Sequence, residues 1–379
     1  MTKTVIDLFC GAGGLSEGFR QGGYHVVAGN DFDTSAGETF AGTHSEAEFI
    51  PGPIQQLSSS QFLKAGNLRK GELDVLIGGP PCQGFSVYNH QRGLHDERSS
   101  LYLEYLRIVE GLNPRWVVLE NVTGMNSAGG GEAVNAIIRG FADLGYRVEA
   151  RTLKAEEYGV PQERRRILFV GNRVGLPIKW PAPTHGPGLL PLTTVKDAIA
   201  DLPLLQNGET LIGSKYGKRA NGDYQKSMRA GSSKVLNHSA PKLGAINLER
   251  LQYIPQGGSW RDIPFDLLPK GMKRAKRSDH TKRYGRLSWG GLSSTILTKC
   301  DIHWGAFIHP EQDRAITVRE AARFQSFPDW FEFSGSRTEQ YVQVGNAVPP
   351  LLGKKIAETI SAIESGEDFP MLQELSLIA

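Results

Sequence analysis

The sequence predicts an α/β protein with a second, smaller domain of irregular chain and short strands. Three observations predict it. First, Thr4 to Phe9 is an apolar strand that runs into Cys10-Gly11-Ala12-Gly13-Gly14, followed by a helical pattern from Leu15 to Gln21. Strand, glycine turn and helix open a nucleotide-binding βαβ unit. Second, apolar strands and helical patterns keep alternating as far as Ile167 to Gly171. Third, the texture changes near Trp180, where Pro181, Pro183, Pro187 and Pro191 mark a boundary.

The totals agree with this division. A chain of 379 residues is one large domain or two moderate ones. Cys10, Cys82 and Cys300 are far apart. This excludes a disulfide framework and a four-cysteine zinc site, and no metal is expected. The sequence shows no charged-then-apolar leader and no apolar run long enough for a bilayer, so a cytoplasmic protein without membrane contact is expected. Net charge is only +3. Between Ser214 and Arg286, however, 17 Lys/Arg stand against 5 Asp/Glu, a local balance of +12 that leaves −9 for the rest. A charge run is usually a solvated face. One that also carries Tyr216, Tyr224, Tyr253, Trp260 and Tyr284 points to a polyanion, with nucleic acid as the leading candidate.

In chain order, the glycine turn lets a ligand approach the backbone closely. Its spacing is not Gly-x-Gly-x-x-Gly, and no Lys-Ser/Thr closes a phosphate loop. The next strand, Tyr24 to Gly29, ends in Asn30-Asp31-Phe32. Asp31 is placed either to accept from ribose hydroxyls or to cap a helix, and Phe32 either stacks on a purine or joins the core. Val75, Leu76 and Ile77 read as a buried strand leading into Gly78-Gly79-Pro80-Pro81-Cys82. The glycines are expected to let the chain leave the sheet in a conformation closed to other residues, and the prolines to stiffen that exit. Cys82 at the end of this mount is either a nucleophile or a small buried apolar residue. Gln83 to Asp96, with Gly84 and Gly93, reads as a mobile loop.

Ser99 to Leu112 reads as a helix, and Arg115 to Leu119 as a strand ending in Glu120-Asn121-Val122. Glu120 thereby shares the sheet edge with Cys82, as an acid/base or as a partner for backbone donors. A helix is expected over Glu132 to Leu144 and a strand over Arg147 to Leu153. The strand from Ile167 is entered by Gln162-Glu163-Arg164-Arg165-Arg166, and alternation is expected to put Arg164 and Arg166 on one face. Further helices are expected over Thr194 to Leu202, Ile316 to Phe327 and Pro349 to Glu364.

These pieces, in this order, resemble the DNA (cytosine-5)-methyltransferases of the bacterial restriction-modification type. The resemblance rests on Asp7-Leu8-Phe9-Cys10-Gly11-Ala12-Gly13-Gly14, Gly79-Pro80-Pro81-Cys82-Gln83-Gly84-Phe85-Ser86 and Glu120-Asn121-Val122. It continues through Gln162-x-Arg164-x-Arg166, Thr317 to Pro328 and Gly345-Asn346-Ala347-Val348-Pro349-Pro350. Each motif alone is weak; six in family order are specific, and they cover nearly the whole chain except the basic middle. The fold so implied is a Rossmann-like S-adenosylmethionine-dependent methyltransferase domain with a smaller target-recognition domain. Residues 1–185 would form the first part of the catalytic and cofactor-binding domain, 186–335 the target-recognition domain and hinge, and 336–379 a segment returning to the catalytic domain.

The resemblance implies roles for individual residues. Cys82 would attack C6 of a cytosine, Glu120 would hold N3 protonated, and Arg164 and Arg166 would orient the base and the attacking groups. S-adenosylmethionine would lie against Phe9, Gly11, Ala12, Gly13 and Gly14, with Asp31 on its ribose and Phe32 and Ile54 on its adenine. Pro81, Leu101, Asn346 and Val348 would complete the pocket. Gln83, Ser86 and Arg98 would touch DNA on a lid from Gln83 to Ser99, and the basic middle would read the duplex. The partners implied are double-stranded DNA and a restriction endonuclease acting on the same site, with the enzyme itself a monomer. Pro53 departs from the family, many of whose members carry there an Asp for the adenine amine. An RNA-methylating relative would carry a Cys-Phe-Thr element, which is missing, and a short middle. A nicotinamide dehydrogenase would have no use for Pro-Pro-Cys. A DNA-binding module without catalysis would not need Cys82, Glu120 and the arginines.

Overall fold

A computed structural model describes residues 2–81, 101–211 and 213–372, with the backbone alone for 127–130. The chain forms two compact units. The first comprises Met1–Tyr158, Arg165–Thr184 and Ala347–Ala379, and the second Gly159–Arg164 and His185–Asn346.

The first unit begins with β1 (Thr4–Leu8), α1 (Gly14–Gln21), β2 (His25–Asp31), α2 (Thr34–Thr43), β3 (Glu48–Pro51), α3 (Ser59–Ala65) and β4 (Val75–Gly78). It continues with α4 (Leu101–Leu112), β5 (Trp116–Val122), α5 (Glu132–Asp143), β6 (Arg147–Lys154) and β7 (Arg165–Asn172). The strands form one sheet in the order β3-β2-β1-β4-β5-β7-β6. β1 to β5 run parallel, whereas β7 is antiparallel to both its neighbours. Val5, Ile6 and Leu8 on β1, Val75 to Ile77 on β4 and Trp116 to Leu119 on β5 are fully buried, as expected for strands covered on both faces by crossover helices. The core includes Ile6, Leu8, Leu76, Val117 and Leu119, with Phe62, Tyr105, Ile108 and Phe141 from the helices.

The second unit carries α6 (Val195–Ile199), β8 (Thr210–Leu211), α7 (Asp223–Arg229), β9 (His238–Ser239), α8 (Ala245–Leu251), α9 (Val318–Phe324) and α10 (Arg337–Asn346). Its only sheet among the described residues is the two-stranded β8–β9. Buried charge replaces regular structure as its organiser. Arg323 donates to Asp329 and Asp201, and Arg314 grips Glu320 with two bonds of 2.9 and 2.7 Å. Glu320 also accepts from the Thr317 amide at 2.7 Å, closing a capping box at the start of α9. These arginines hold the Glu320 and Asp329 carboxyls below their ordinary range despite burial.

α11 (Pro350–Ser365) returns to the first unit and packs on α1. Glycine makes that contact possible. A Cβ on Gly18 would lie 2.6 Å from the Pro350 carbonyl oxygen and 2.8 Å from Gly353 Cα. The two helices therefore meet backbone to backbone. No helix among the described residues is long and apolar enough to cross a membrane.

Candidate active site

The parallel order turns around at β1 and β4. From β1 the chain moves outward to β2 and β3, then crosses back to β4 and β5. Such a reversal opens a crevice at the carboxyl ends of the two central strands. The turn after β1, the Asp31-Phe32 end of β2, the Gly52–Ile54 turn, the Gly79–Pro81 exit and Glu120 all fall on that edge.

The glycine turn departs from ordinary backbone at three positions. Gly11 and Gly13 have φ of 52° and 91°, and Phe9 adopts 57°, a value that costs a bulky residue about 1–3 kcal/mol. A Cβ on Gly11 would meet nothing within 4 Å, so the backbone there faces open space. A Cβ on Gly13 would lie 2.7 Å from the buried His44 ring. Asp31 ties the turn to β2: one carboxylate oxygen accepts from the Gly11 amide at 2.8 Å and the other from the Asp33 amide at 2.9 Å. Asp33, not Asp31, caps α2. Phe32 is 70% exposed, so it is not a core aromatic. Ala12, Ile54 and Val348 are buried, while Pro81 and Leu101 are partly covered. Asn346, at the end of α10, belongs to the second unit.

The Gly78–Gly79 exit differs from expectation. Neither residue has a positive φ among the described glycines; what they supply is space. A Cβ on Gly78 would press on the Leu8 carbonyl at 2.7 Å and on the Tyr105 ring at 2.9 Å. One on Gly79 would lie 3.0 Å from Glu120 Oε2. Asn121, which the sequence reading left without a role, donates to the Pro80 carbonyl at 3.1 Å and so fastens the proline pair to β5. Cys82, Gln83, Ser86 and Arg98 lie outside the described residues, as does the whole of the expected lid.

Glu120 is held by an ion pair. Arg166 Nε lies 2.6 Å from Glu120 Oε1, with both side chains nearly buried. The antiparallel course of β7 explains the meeting. Arg166 stands opposite Val122, and Leu168 opposite Glu120, so the beginning of β7 lies beside the carboxyl end of β5. Burial lowers the Arg166 pKa, and Glu120 opposes that shift.

Arg164 has different partners. The strand begins one residue later, and Arg164 lies in the second unit, 1% exposed. Its guanidinium donates to the carbonyls of Ile296 at 3.3 Å and Gly345 at 3.0 Å. Burial alternates along the entry to β7 as expected, with Arg164 buried, Arg165 exposed and Arg166 half-buried. Beside it, buried Gln162 bonds Phe324, Gln325 and Ile296, so this segment is knitted into the second unit.

A further buried pair lies beneath the glycine turn. Ser16 Oγ donates to Asp7 Oδ2 at 2.6 Å, joining β1 to α1. Burial raises the Asp7 carboxyl to about 7, against the effect of that bond. The motif containing Asp7 was visible in the sequence, but not that its carboxyl is enclosed.

A glycine turn held by an acidic residue at a switch-point crevice, beside a buried glutamate–arginine pair, defines the class: a Rossmann-like S-adenosylmethionine-dependent methyltransferase fold. Comparisons narrow the class. The C-5 cytosine-specific DNA methylase model matches residues 3–362. The chain belongs to that family and is a DNA (cytosine-5)-methyltransferase. It is 35% identical to Type II methyltransferase M.AgeI of Thalassovita gelatinovora, over 94% of this chain and 98% of that one. It is also 35% identical to Type II methyltransferase M1.HphI of Haemophilus parahaemolyticus, over 97% and 89%. A crystal structure from E. coli, described as a prophage-encoded DNA modification methyltransferase, superposes with a TM-score of 0.76 at 26% identity. That match covers 96% of this chain and all of the other.

Proposed function

We propose that the protein transfers a methyl group from S-adenosylmethionine to C5 of a cytosine flipped out of a specific duplex DNA sequence, through a bond between Cys82 Sγ and C6. The observation that carries this reading is the Glu120–Arg166 pair beside Gly79, the residue three positions before Cys82. The pair puts a carboxyl group and a fixed cation at the strand end that leads to the nucleophile.

The residues at the crevice fit the cofactor. The open backbone at Gly11 admits a close ligand, the Asp31 carboxylate retains acceptor capacity beyond its two amide bonds, and Phe32 offers an exposed ring face. Phe9, Ala12, Gly13, Gly14, Pro81, Leu101 and Val348 would line the rest. Ile54 is packed into the core cluster, so its contribution is to support the Gly52–Ile54 turn. When bound, S-adenosylmethionine supplies an electrophilic methyl group.

The chain's own groups prepare the base. With Glu120 protonated when the base is bound, the Cys82 thiolate adds to C6 as the Glu120 carboxyl passes its proton to N3, and the displaced electron pair makes C5 nucleophilic. After methylation, loss of the C5 proton to a base restores the C5–C6 double bond and expels the thiolate. Arg166 holds the Glu120 carboxyl in place and offsets charge that develops on the ring. Arg164 would act as a positioning residue, with its guanidinium donating to two backbone carbonyls. The second unit would serve as the target-recognition part. Duplex DNA would be the partner, Gln83, Ser86 and Arg98 would contact it, and the enzyme would act as a monomer alongside an endonuclease of the same site.

Bisulfite sequencing of plasmid from an expressing host tests the reading, together with binding of labelled S-adenosylmethionine against NAD. Protected cytosines in one short sequence and binding of S-adenosylmethionine alone are expected. Uniform conversion of every cytosine, with the purified protein inactive on duplex DNA, would refute it.

A further inference from the structure

The basic middle of the chain is not uniformly available to a ligand. Arg286 is buried, donating to the carbonyls of Ile254, Leu251 and His309 and to the Asp313 carboxylate. Arg250 donates to the Leu267 carbonyl at 2.7 Å. Arg229 lies 3.7 Å over the Tyr216 ring and pairs with Asp201. These cations build the second unit. A different condition holds in the strap 270–283, which carries seven Lys/Arg and one Asp. Among the described residues, the ion pairs of the basic middle involve Lys226, Arg229, Lys282 and Arg286. Lys270, Lys273, Arg274, Lys276 and Arg283 are in none of them, and the first four are exposed; Lys215, Lys218 and Arg219 are likewise exposed and outside these pairs, so it is the mount that sets the strap apart.

The strap is also firmly mounted. Met272 and Ala275 pack into a cluster with Leu251, Ile254, Trp260 and Tyr284. Trp260 donates from its ring to the His280 carbonyl at 3.1 Å and from its amide to Arg283 at 3.0 Å. At its end, the Arg283 guanidinium lies 4.9 Å from the ring centre of Trp304, which is 54% exposed. Exposed cations on a fixed backbone suit phosphates, and an arginine pre-oriented by an exposed aromatic suits base edges.

We propose that the strap 270–283 and Trp304 select the DNA sequence that is methylated, with Lys273, Arg274 and Lys276 on phosphates and Arg283 and Trp304 on base edges. The proposal rests on the DNA-methylating reading above and narrows it from the whole basic segment to one surface.

Two measurements test it, both on the full chain. The first compares the salt dependence of duplex binding in K273A/R274A/K276A with K215A/K218A/R219A, a triple of equal charge elsewhere in the basic middle. The strap triple should flatten the logarithmic salt slope by about 2 to 3, and the other triple should leave it near wild type. The second is binding of a duplex carrying the methylated sequence relative to a scrambled one. Arg283→Ala, Arg283→Lys and Trp304→Ala should each reduce that ratio by roughly 5- to 100-fold. Wild-type selectivity in all three variants, or equal slopes in the two triples, would overturn the proposal. Failure of the wild-type protein to methylate cytosine in DNA would instead refute the function on which it rests.

Discussion

Arg166 Nε stands 2.6 Å from Glu120 Oε1, and the two residues come from neighbouring strands that run in opposite directions. A paired, nearly buried carboxyl group is strongly oriented, and removing either partner takes away the charge that faces the other. Glu120→Gln keeps the shape but cannot pass a proton to N3. Methyl transfer should fall about 10²–10⁴-fold with duplex binding largely kept, measured as single-turnover rate against Kd. Gly79→Ala should lower the same rate, since its Cβ would press on Glu120 Oε2. Near-normal turnover in Glu120→Gln would remove that residue from the mechanism.

The second prediction concerns the nucleophile. With 5-fluorocytosine at the target, fluorine cannot leave C5 as a cation, so the reaction should stop with Cys82 bonded to DNA. A denaturing gel should show a protein–DNA band that needs both S-adenosylmethionine and the fluorinated base. Cys82→Ala should abolish it. Cys10→Ala and Cys300→Ala should retain it, because burial pushes both those thiols well above their ordinary range and keeps them protonated. An adduct mapped to Cys10 or Cys300 would contradict the assignment.

The third prediction follows from Asp7. Its folded pKa of about 7 exceeds the ordinary 3.8, so between those values the folded chain holds a proton that the unfolded chain has lost. The stabilisation is complete below about pH 4 and disappears as pH rises through about 7. Asp7→Asn stays neutral and can still accept from Ser16. It should match wild type near pH 4 and exceed it by about 2–4 kcal/mol at pH 8 in urea unfolding. A wild-type stability that rises across this interval, with the variant parallel to it, would show that Asp7 is ionised in the fold.

Much of the fold was legible because its signals are local. The glycine turn, the Pro80-Pro81 exit and the ends of β1, β2, β4 and β5 are written in a few consecutive residues each. The direction of β7 was not, because pairing partners far apart in sequence decide it; yet that direction brings Arg166 to Glu120. Arg164 and Arg166 look equivalent in the sequence, and only their partners distinguish them: the Ile296 and Gly345 carbonyls for Arg164, Glu120 for Arg166. The charge count between Ser214 and Arg286 likewise hides a division between arginines such as Arg286, which build the interior, and those of the strap. Gly78 and Gly79 were visible, but their reason is crowding by Tyr105 and Glu120, which only the packed sheet reveals.

The contact between Gly18 and Gly353 has a consequence for synthesis. The face of α1 at Gly18 and Gly22 is covered by Pro350, Gly353 and Ala357, more than 330 positions later. A ribosome adding ~5–20 residues per second needs roughly 17–65 s to supply that cover. Throughout that interval the first helix must wait with its glycine groove open to solvent or to a chaperone. The sheet's first βαβ unit therefore lacks this packing on the nascent chain until α11 has left the exit tunnel.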